Sequence, residues 1–548
     1  MNRKHVPVLI VCLLVLLVAI AGIGTHLVVK YTPTRKMMDR YEYYGTPASD
    51  EAVIIMGTNQ LEASALKYGD DVYLPVDVVN TYLNQRFYWD GEGEQILYAT
   101  PSELLRTPAG EVGTEVVMKD GQAYLNLSYI KKYTDIDTYV YESPARVAVQ
   151  YDFENRNMVR VTSNTKLRYR GGIKSEVLTD VASGQYLYLL EELEEWNQVA
   201  TADGYVGYVE KKKLAAPEII TTGRDFYTEP YQYLKVDGKV NLAWHQVTNY
   251  DANDYLYDYV ANVSGLNVIS PTWFTMTDNY GNIKSIASSS YVEEAHSMGM
   301  QVWGLIDNFS SEMSTTVVLS STSSRENLIR NLMDAALEVG LDGINIDFEY
   351  LKEEVGPHFL QFLRELSIEC HKHGMILSVD NPVPEDFTSH YDRAEQGRVV
   401  DYIIIMGYDE HYVGSETAGS VASLPWVEKG VVDTLEEVPA ERVINGMPFY
   451  TRLWKTNSGI VTSEAIGMDQ AKDNVERNHA EVYWNTEVCQ NYGSYELEDG
   501  FYQIWLEDGD SIAAKVQLVP KYGLAGVAAW KLGFENSSIW SVIQNNLY

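Results

Sequence analysis

The sequence predicts an α/β protein whose C-terminal part, residues 237–548, is a parallel (β/α)8 barrel. Three observations predict it. From Val240 onward, apolar runs of strand length alternate with amphipathic helices, and eight runs are legible, at 240–244, 266–270, 302–306, 343–349, 375–379, 401–406, 443–447 and 525–530. The helices between them carry start and stop signals. One begins near Arg325, with Leu328, Leu332, Ala335 and Val339 on one face, a capping box in Ser323 and Glu326, and Gly340 where it should end. The next has Phe359, Phe362, Leu363 and Leu366, with Pro357 in its first turn and an end near Gly374. Finally, the run 343–349 alternates apolar and polar residues, which a strand with one face in a barrel requires.

At the other end of the chain, Val6 to Val29 contains only Thr25 and His26 as markedly polar residues. At about 1.5 Å per residue this run can cross a hydrocarbon core of about 30 Å. It exceeds the roughly 7–15 apolar residues of a cleaved signal, although Ala19-Ile20-Ala21 would serve as a small-residue cleavage site. Residues 1–35 are therefore expected to be a cytoplasmic tail and a transmembrane anchor, with residues 6–29 in the membrane. Arg3 and Lys4 before the span are matched by Lys30, Arg35, Lys36 and Arg40 after it, so charge does not orient it.

Residues 36–155 contain two similar stretches offset by 51 residues. Val72-Tyr73-Leu74-Pro75-Val76 is followed by Phe87-Tyr88-Trp89-Asp90, and Ala123-Tyr124-Leu125-Asn126-Leu127 by Thr138-Tyr139-Val140-Tyr141. Each reads as strand, short helix, strand, and a duplication without paired acid and base suggests an α+β stalk. Through "VYLPVDVVNTYL" and "FYWD" it resembles the copper amine oxidase N-terminal domain family. No histidine occurs between His26 and His245, so an imidazole copper site is excluded there. Residues 157–215 have the strand spacing of a small all-β barrel and, with Trp196 and Gly207-Tyr208, resemble a bacterial Src-homology-3-like domain. Wall binding and service as a spacer are equally open for it. Residues 216–236, with Pro217, Gly223 and Pro230, read as the linker to the barrel.

Composition excludes some partners. Asp and Glu number 77 against 42 Lys and Arg, a net charge of −35, so the surface repels nucleic-acid phosphates. Three cysteines, Cys12, Cys370 and Cys489, allow at most one disulfide and no zinc site built from Cys pairs. No cofactor or metal is expected. His371 and His373 stand two apart on a helix and diverge, which fits solvated helix ends better than a metal site. The 41 tyrosines, amphipathic rings with a polar tip, suit wet surfaces and sugar faces.

The chemistry is expected in Asp342-Gly343-Ile344-Asn345-Ile346-Asp347-Phe348-Glu349-Tyr350. Ile344, Ile346 and Phe348 face one way, so Asn345, Asp347 and Glu349 point into the barrel. Carboxylates buried there cost several kcal/mol each unless paired or hydrogen-bonded. Glu349 falls at the C-terminal end of its strand, where barrel active sites lie. Asp347 and Glu349 share one face, roughly 6–7 Å apart at Cα, and approach a bound sugar from the same side. Retaining catalysis with a protein nucleophile and inversion with a protein base both need carboxylates on opposite sides. For glycoside cleavage the nucleophile must then come from elsewhere, and the substrate's own 2-acetamido group is the candidate.

"DGINIDFE" resembles the Asp-Gly-x-Asp-x-Asp-x-Glu signature of glycoside hydrolase family 18, the chitinase-like enzymes, over about residues 237–548. Further motifs follow in the family's order. "MGYDEH" supplies Met406, Tyr408 and Asp409, "GMPFYTR" supplies Tyr450 and Arg452, and "GVAAWKL" supplies Trp530. The resemblance implies that Glu349 is the general acid and that Asp347 orients the acetamido group and stabilises an oxazolinium ion. It further implies that Tyr408 bonds the acetamido carbonyl and Trp530 floors the −1 subsite, with Asn345, Asp409, Met406, Tyr450 and Arg452 as substrate-binding positions. Trp530 as a core residue is the bland counterpart. Two departures stand out: Asn345 replaces the usual second Asp, and Thr451 the usual Gly before the Arg. With Asn345 donating a hydrogen bond to Asp347, and without the inner like charge, the titration of Asp347 should be simpler than in the chitinases. The same Asn-for-Asp pattern marks the bacterial subgroup resembling spore-germination and cortex-lytic N-acetylglucosaminidases.

An insertion at about 453–502 is expected between strands 7 and 8, walling one side of the groove, with Trp484 as a sugar platform or part of its own small core. The reading is a membrane-anchored, extracytoplasmic, single-pass glycosidase acting by a retaining, substrate-assisted mechanism on an N-acetylglucosamine polysaccharide, cell-wall peptidoglycan or chitin. The alternative is a catalytically silent, chitinase-like glycan-binding or scaffold protein of the wall.

Overall fold

The structure, a computed structural model, describes residues 6–548. Residues 1–5 of the expected cytoplasmic tail, Arg3 and Lys4 among them, lie outside the described residues. Two compact units are present, one comprising the chain up to Leu97 with Arg106–Thr228, the other Tyr98–Leu105 with Glu229–Tyr548.

The first unit begins with a helix, Val6–Tyr31. Its segment Leu9–Tyr31 has a mean hydropathy of 2.6 and none of it is buried, so by length and composition it can cross a membrane. Beyond it, Asp71–Pro75, Val76–Tyr82 and Phe87–Asp90 form strand, helix and strand, as do Gln122–Asn126, Leu127–Tyr133 and Asp137–Glu142. The first strands of the two copies pair antiparallel, Leu74 facing Leu125 with Tyr73 opposite Asn126 and Pro75 opposite Tyr124. Leu74 and Leu125 are the same position of the repeat, so the copies meet about a local two-fold axis. A second seven-stranded sheet spans Arg156 to Ile220. Its last strand, Glu218–Ile220, pairs with Arg156–Met158, so the expected linker loses its first residues to a strand too short to show periodicity. Gly207 is required where it stands, because a Cβ there would meet the Arg168 carbonyl oxygen at 2.5 Å.

The second unit is a barrel of eight parallel strands: β1 (Val240–His245), β2 (Val268–Met276), β3 (Gln301–Asp307), β4 (Gly343–Asp347), β5 (Ile376–Pro382), β6 (Tyr402–Met406), β7 (Val443–Pro448) and β8 (Gly526–Trp530). Each pairs with the next, and β8 pairs with β1 to close the ring. β4 ends at Asp347 rather than 349. Two apolar layers hold the unit. Inside lie Leu242, Trp303, Leu305, Tyr402, Ile404 and Ile444. Outside, Ile344, Ile346 and Phe348 pack with Leu328, Phe359, Phe362 and Leu366 of the helices. The helix Thr322–Val339 starts earlier than its sequence signal suggests, with Ser321 rather than Ser323 as the cap, and stops at Gly340 in a left-handed conformation. Between β7 and β8 the insertion folds as a five-stranded antiparallel sheet spanning Tyr450 to Leu506.

The closing seam is tight. A Cβ on Gly526 would lie 1.9 Å from the Val240 carbonyl oxygen, a backbone atom that cannot step aside. Gly526→Ala is therefore expected to cost about 2–3 kcal/mol, read as a lower denaturant midpoint.

Candidate active site

The site is built on the C-terminal rim of the barrel. Asn345 is fully buried in the layer below it. Its Oδ1 accepts from Trp244 Nε1 at 2.9 Å and Ser270 Oγ at 3.2 Å. Its Nδ2 donates to Ser378 Oγ at 3.1 Å and Asp380 Oδ1 at 2.8 Å. The expected hydrogen bond from Asn345 to Asp347 is thus not made. Residues two apart on a strand share a face but stand roughly 6–7 Å apart, whereas the neighbouring strand is only about 4.8 Å away, so the amide reaches across to β5.

Asp347 is buried, and its Oδ1 has no hydrogen-bond partner among the described residues. Burial, and then the negative charges of Asp380, Glu349 and Asp307, push its carboxyl well above the ordinary range. The simpler titration expected from the loss of an inner Asp does not hold, because Asp380 brings a like charge from β5. Asp307 faces Asp347 in register on β3. Its carboxyl is also raised by burial, though it accepts from Phe309 N at 3.1 Å and Thr275 Oγ1 at 3.0 Å.

Glu349 lies just past the strand and is held through its backbone. The Asn308 side chain accepts from Glu349 N at 3.0 Å and donates to Glu349 O at 2.9 Å. This closed pair fixes the peptide where the sheet no longer does. Tyr350 beyond it takes φ +53° with 88 % of its surface exposed, a sparsely populated conformation for an aromatic residue. Burial, then the Asp409 charge, raises the Glu349 carboxyl, which favours the protonated form an acid catalyst needs. Asn308→Ala removes both bonds and is expected to lower kcat about tenfold or more, with KM much less affected, in steady-state kinetics.

From the other side of the rim, Tyr408 follows β6, and burial together with Asp347 and Asp380 keeps its phenol protonated as a donor. Asp409, at φ +64°, accepts from Tyr450 Oη at 2.5 Å. Met406 ends β6 in register with Pro382 and Gly446. Trp530, at the end of β8, stands 6.1 Å from the Trp244 ring, and Trp244 stands 6.5 Å from Tyr408. Tyr408 and Tyr450 are 6.3 Å apart, which completes an aromatic arc. Arg452 donates to Ser463 Oγ at 3.2 Å and makes no ion pair among the described residues. Asp347, Glu349, Tyr408, Asp409, Tyr450 and Trp530 thus gather at one rim, with Asn345 in the layer beneath.

Other singled-out residues have structural work. Asp342 accepts from Val302 N at 2.8 Å and bonds His296 at 2.7 Å. His371 is not a solvated helix end, since it bonds the buried Asp401 at 3.1 Å. Trp484 is 40 % exposed on a strand of the insertion. No group of three or more His, Cys, Asp or Glu is placed to hold a metal ion among the described residues. Asp307, Asn308 and Asp380 were not legible as site residues. Their signal is an acid at the C-terminal end of strands 3 and 5, beside the one at the end of strand 4.

Comparison with known proteins agrees with the barrel fold. The family described as Glycosyl hydrolases family 18 matches residues 231–535, more than half of the chain. The chain is 31% identical to YdhD of Bacillus subtilis over 222 residues, 39% of this chain and 52% of that protein. It is 25% identical over 246 residues to the cortical fragment-lytic enzyme of Bacillus subtilis, 43% of this chain and 57% of that one. The chain therefore spans little more than half the length of these two relatives. The crystal structure of a chitinase from Chromobacterium violaceum superposes with a TM-score of 0.51 at 23% identity, over 57% of this chain and 99% of that one, and shares the fold.

Proposed function

The chain belongs to glycosyl hydrolases family 18, a family of glycosidases, and we propose that it cleaves the β-1,4 bond on the reducing side of N-acetylglucosamine with retention, the substrate's 2-acetamido group acting as nucleophile. One observation carries the reading. Asp347 keeps a buried oxygen without a partner directly below Glu349 at the rim, and an acetamido N–H is the donor that would complete it.

In this mechanism Glu349 donates its proton to the glycosidic oxygen as the bond to C1 breaks. The acetamido carbonyl oxygen attacks C1 and forms an oxazolinium ion. Asp347 accepts the acetamido N–H and faces the positive charge, while the Tyr408 hydroxyl donates to the acetamido oxygen and aligns it. Trp530, in the arc with Trp244, floors the sugar. Glu349, now ionised, takes a proton from the water that attacks C1, and retention follows from two inversions.

The substrate we infer is a cell-wall glycan met outside the cytoplasm, with Leu9–Tyr31 as the membrane span. The name of the cortical fragment-lytic relative supports a wall glycan, and the family's action on N-acetylglucosamine-containing glycans leaves chitin as the competing substrate. Detergent-solubilised protein is to be incubated with purified wall glycan and with chitin oligomers, and the products analysed by mass spectrometry. New reducing-end N-acetylglucosamine from wall glycan is expected, together with inhibition by a thiazoline mimic of the oxazoline. Tight binding of either glycan without new ends would make the protein a lectin instead.

A further inference from the structure

We propose that Asp380, on β5, is the group with which Asp347 shares a proton, so that a carboxylate from the neighbouring strand does what Asn345 cannot. The proposal rests on the substrate-assisted reading and adds a positioning residue to it.

The register sets the geometry. Asn345 pairs with Ser378 and Ile346 with Val379, so Asp347 and Asp380 are the next rung of the same parallel pair. Adjacent strands lie about 4.8 Å apart, and residues on one rung point to the same side, here into the barrel. Both carboxyls are buried, Asp380 to 2 % exposure and Asp347 to 7 %. No Lys or Arg pairs with either among the described residues. The groups facing them are acids and phenols: Asp307 on β3, Glu349 after β4, Tyr391 after β5, Tyr408 and Asp409 after β6, and Tyr450 in the insertion. Two neighbouring buried carboxylates without a cation cannot both ionise, and the pair keeps one proton.

Asn345 decides where that proton rests. Its oxygen is occupied by Trp244 and Ser270, so its amide must turn its N–H groups to Ser378 and Asp380. Asp380 receives a donor and Asp347 Oδ1 receives none. The resting charge therefore sits on Asp380 and the proton on Asp347. When an acetamido N–H arrives at Asp347, the proton passes from Asp347 to Asp380. Asp347 becomes the carboxylate that accepts the N–H, Asp380 becomes the acid, and the net charge is unchanged. The reverse transfer follows product release.

The test uses the full chain in detergent with N-acetylglucosamine oligomers. The variants are Asp380→Asn and the isosteric exchange of Asn345→Asp combined with Asp380→Asn. In the single variant Asp347 no longer faces the Asp380 charge, so it ionises at lower pH and has no neighbour with which to exchange a proton. Its kcat should fall by roughly ten- to a hundredfold, and the acid limb of kcat/KM should move down by about one pH unit. Infrared difference spectra against wild type should show one protonated carboxyl lost near neutrality. The exchange returns a carboxylate to the site and keeps an amide–carboxylate hydrogen bond between positions 345 and 380 with its direction reversed, and should restore rate, limb and band. A single variant with the wild-type limb and band overturns the proposal. So does a loss of rate that the exchange does not repair, since that marks a merely structural role. Wild type that neither releases reducing ends nor binds the thiazoline refutes the catalytic reading instead, and the infrared comparison still decides whether Asp380 shares the proton.

Discussion

Glu349→Gln is expected to lower kcat by about 10²–10⁴-fold, or about 3–5 kcal/mol of transition-state stabilisation, while thiazoline binding stays near wild type. Gln keeps the shape and the backbone clamp from Asn308 but has no proton to give. An effect confined to KM would mean that Glu349 binds rather than protonates. The electrostatics of the site add a second readout. The folded-state carboxyl is raised by burial and by Asp409, so its contribution to stability is fully present below the ordinary carboxyl range and is lost as pH rises through the raised value. At neutral pH the ionised form is a cost that Gln does not incur. The variant should therefore melt higher than wild type near neutrality, and the gap should close in acid. A variant with lower Tm at both pH values would contradict the burial assigned here. Asp409→Asn should lower the Glu349 carboxyl and draw the alkaline limb of kcat/KM to lower pH.

The barrel was readable because its strands are short apolar runs that alternate with helices, and burial on both faces leaves little else for such runs to be. Ile344, Ile346 and Phe348 show their destination by alternation alone, and they pack on the helices as that alternation requires. The site was legible where one strand carries it. Asp347 and Glu349 appear together because they are two residues apart, whereas Asp307 and Asp380 belong to it only through register, which a linear pattern does not contain. Strand ends set at 306 and 379 stopped one residue short of both. Two consecutive strands that end in Asp, and a third with Asp380 two residues before its end, are the residue-level sign of a shared rung, legible only when the strands are known to be neighbours. The direction of the Asn345 amide was equally out of reach, because Trp244 and Ser270, which fix it, come from strands 101 and 75 residues away in the chain. The boundary at the linker failed for a different reason: Glu218–Ile220 is three residues long and is a strand only because Arg156–Met158 offers it an edge.

Lys515→Met is expected to destabilise the second unit by about 3–5 kcal/mol. Lys515 Nζ lies 3.0 and 2.9 Å from the two Glu507 carboxylate oxygens, and both side chains are wholly buried. Glu507 also accepts from Gln490 Nε2 at 2.7 Å and Ser511 Oγ at 2.8 Å. Burial pushes its carboxyl up to about 6 even with Lys515 beside it. Since that value lies above the unfolded one, the group's contribution is complete below the ordinary carboxyl pKa and falls away as pH rises through about 6. Removing the ammonium takes away the influence that lowers the carboxyl, so the variant should be worst above that pH and recover in acid, where Glu507 is neutral. Combining Lys515→Met with Glu507→Gln removes the buried charge altogether and should return most of the lost stability, read from denaturant midpoints across pH. A single variant that unfolds like wild type at every pH would mean that the pair is not buried as described. The consequence reaches the site. Glu507 follows the last strand of the insertion and holds Gln490, which accepts from Ser420 in the loop after β6. That loop begins with Tyr408 and Asp409, so the pair fastens together the insertion that carries Tyr450 and the loop that carries its partner Asp409. Lys515→Met should for that reason lose the pH dependence that Asp409 confers on Glu349 before it loses its fold.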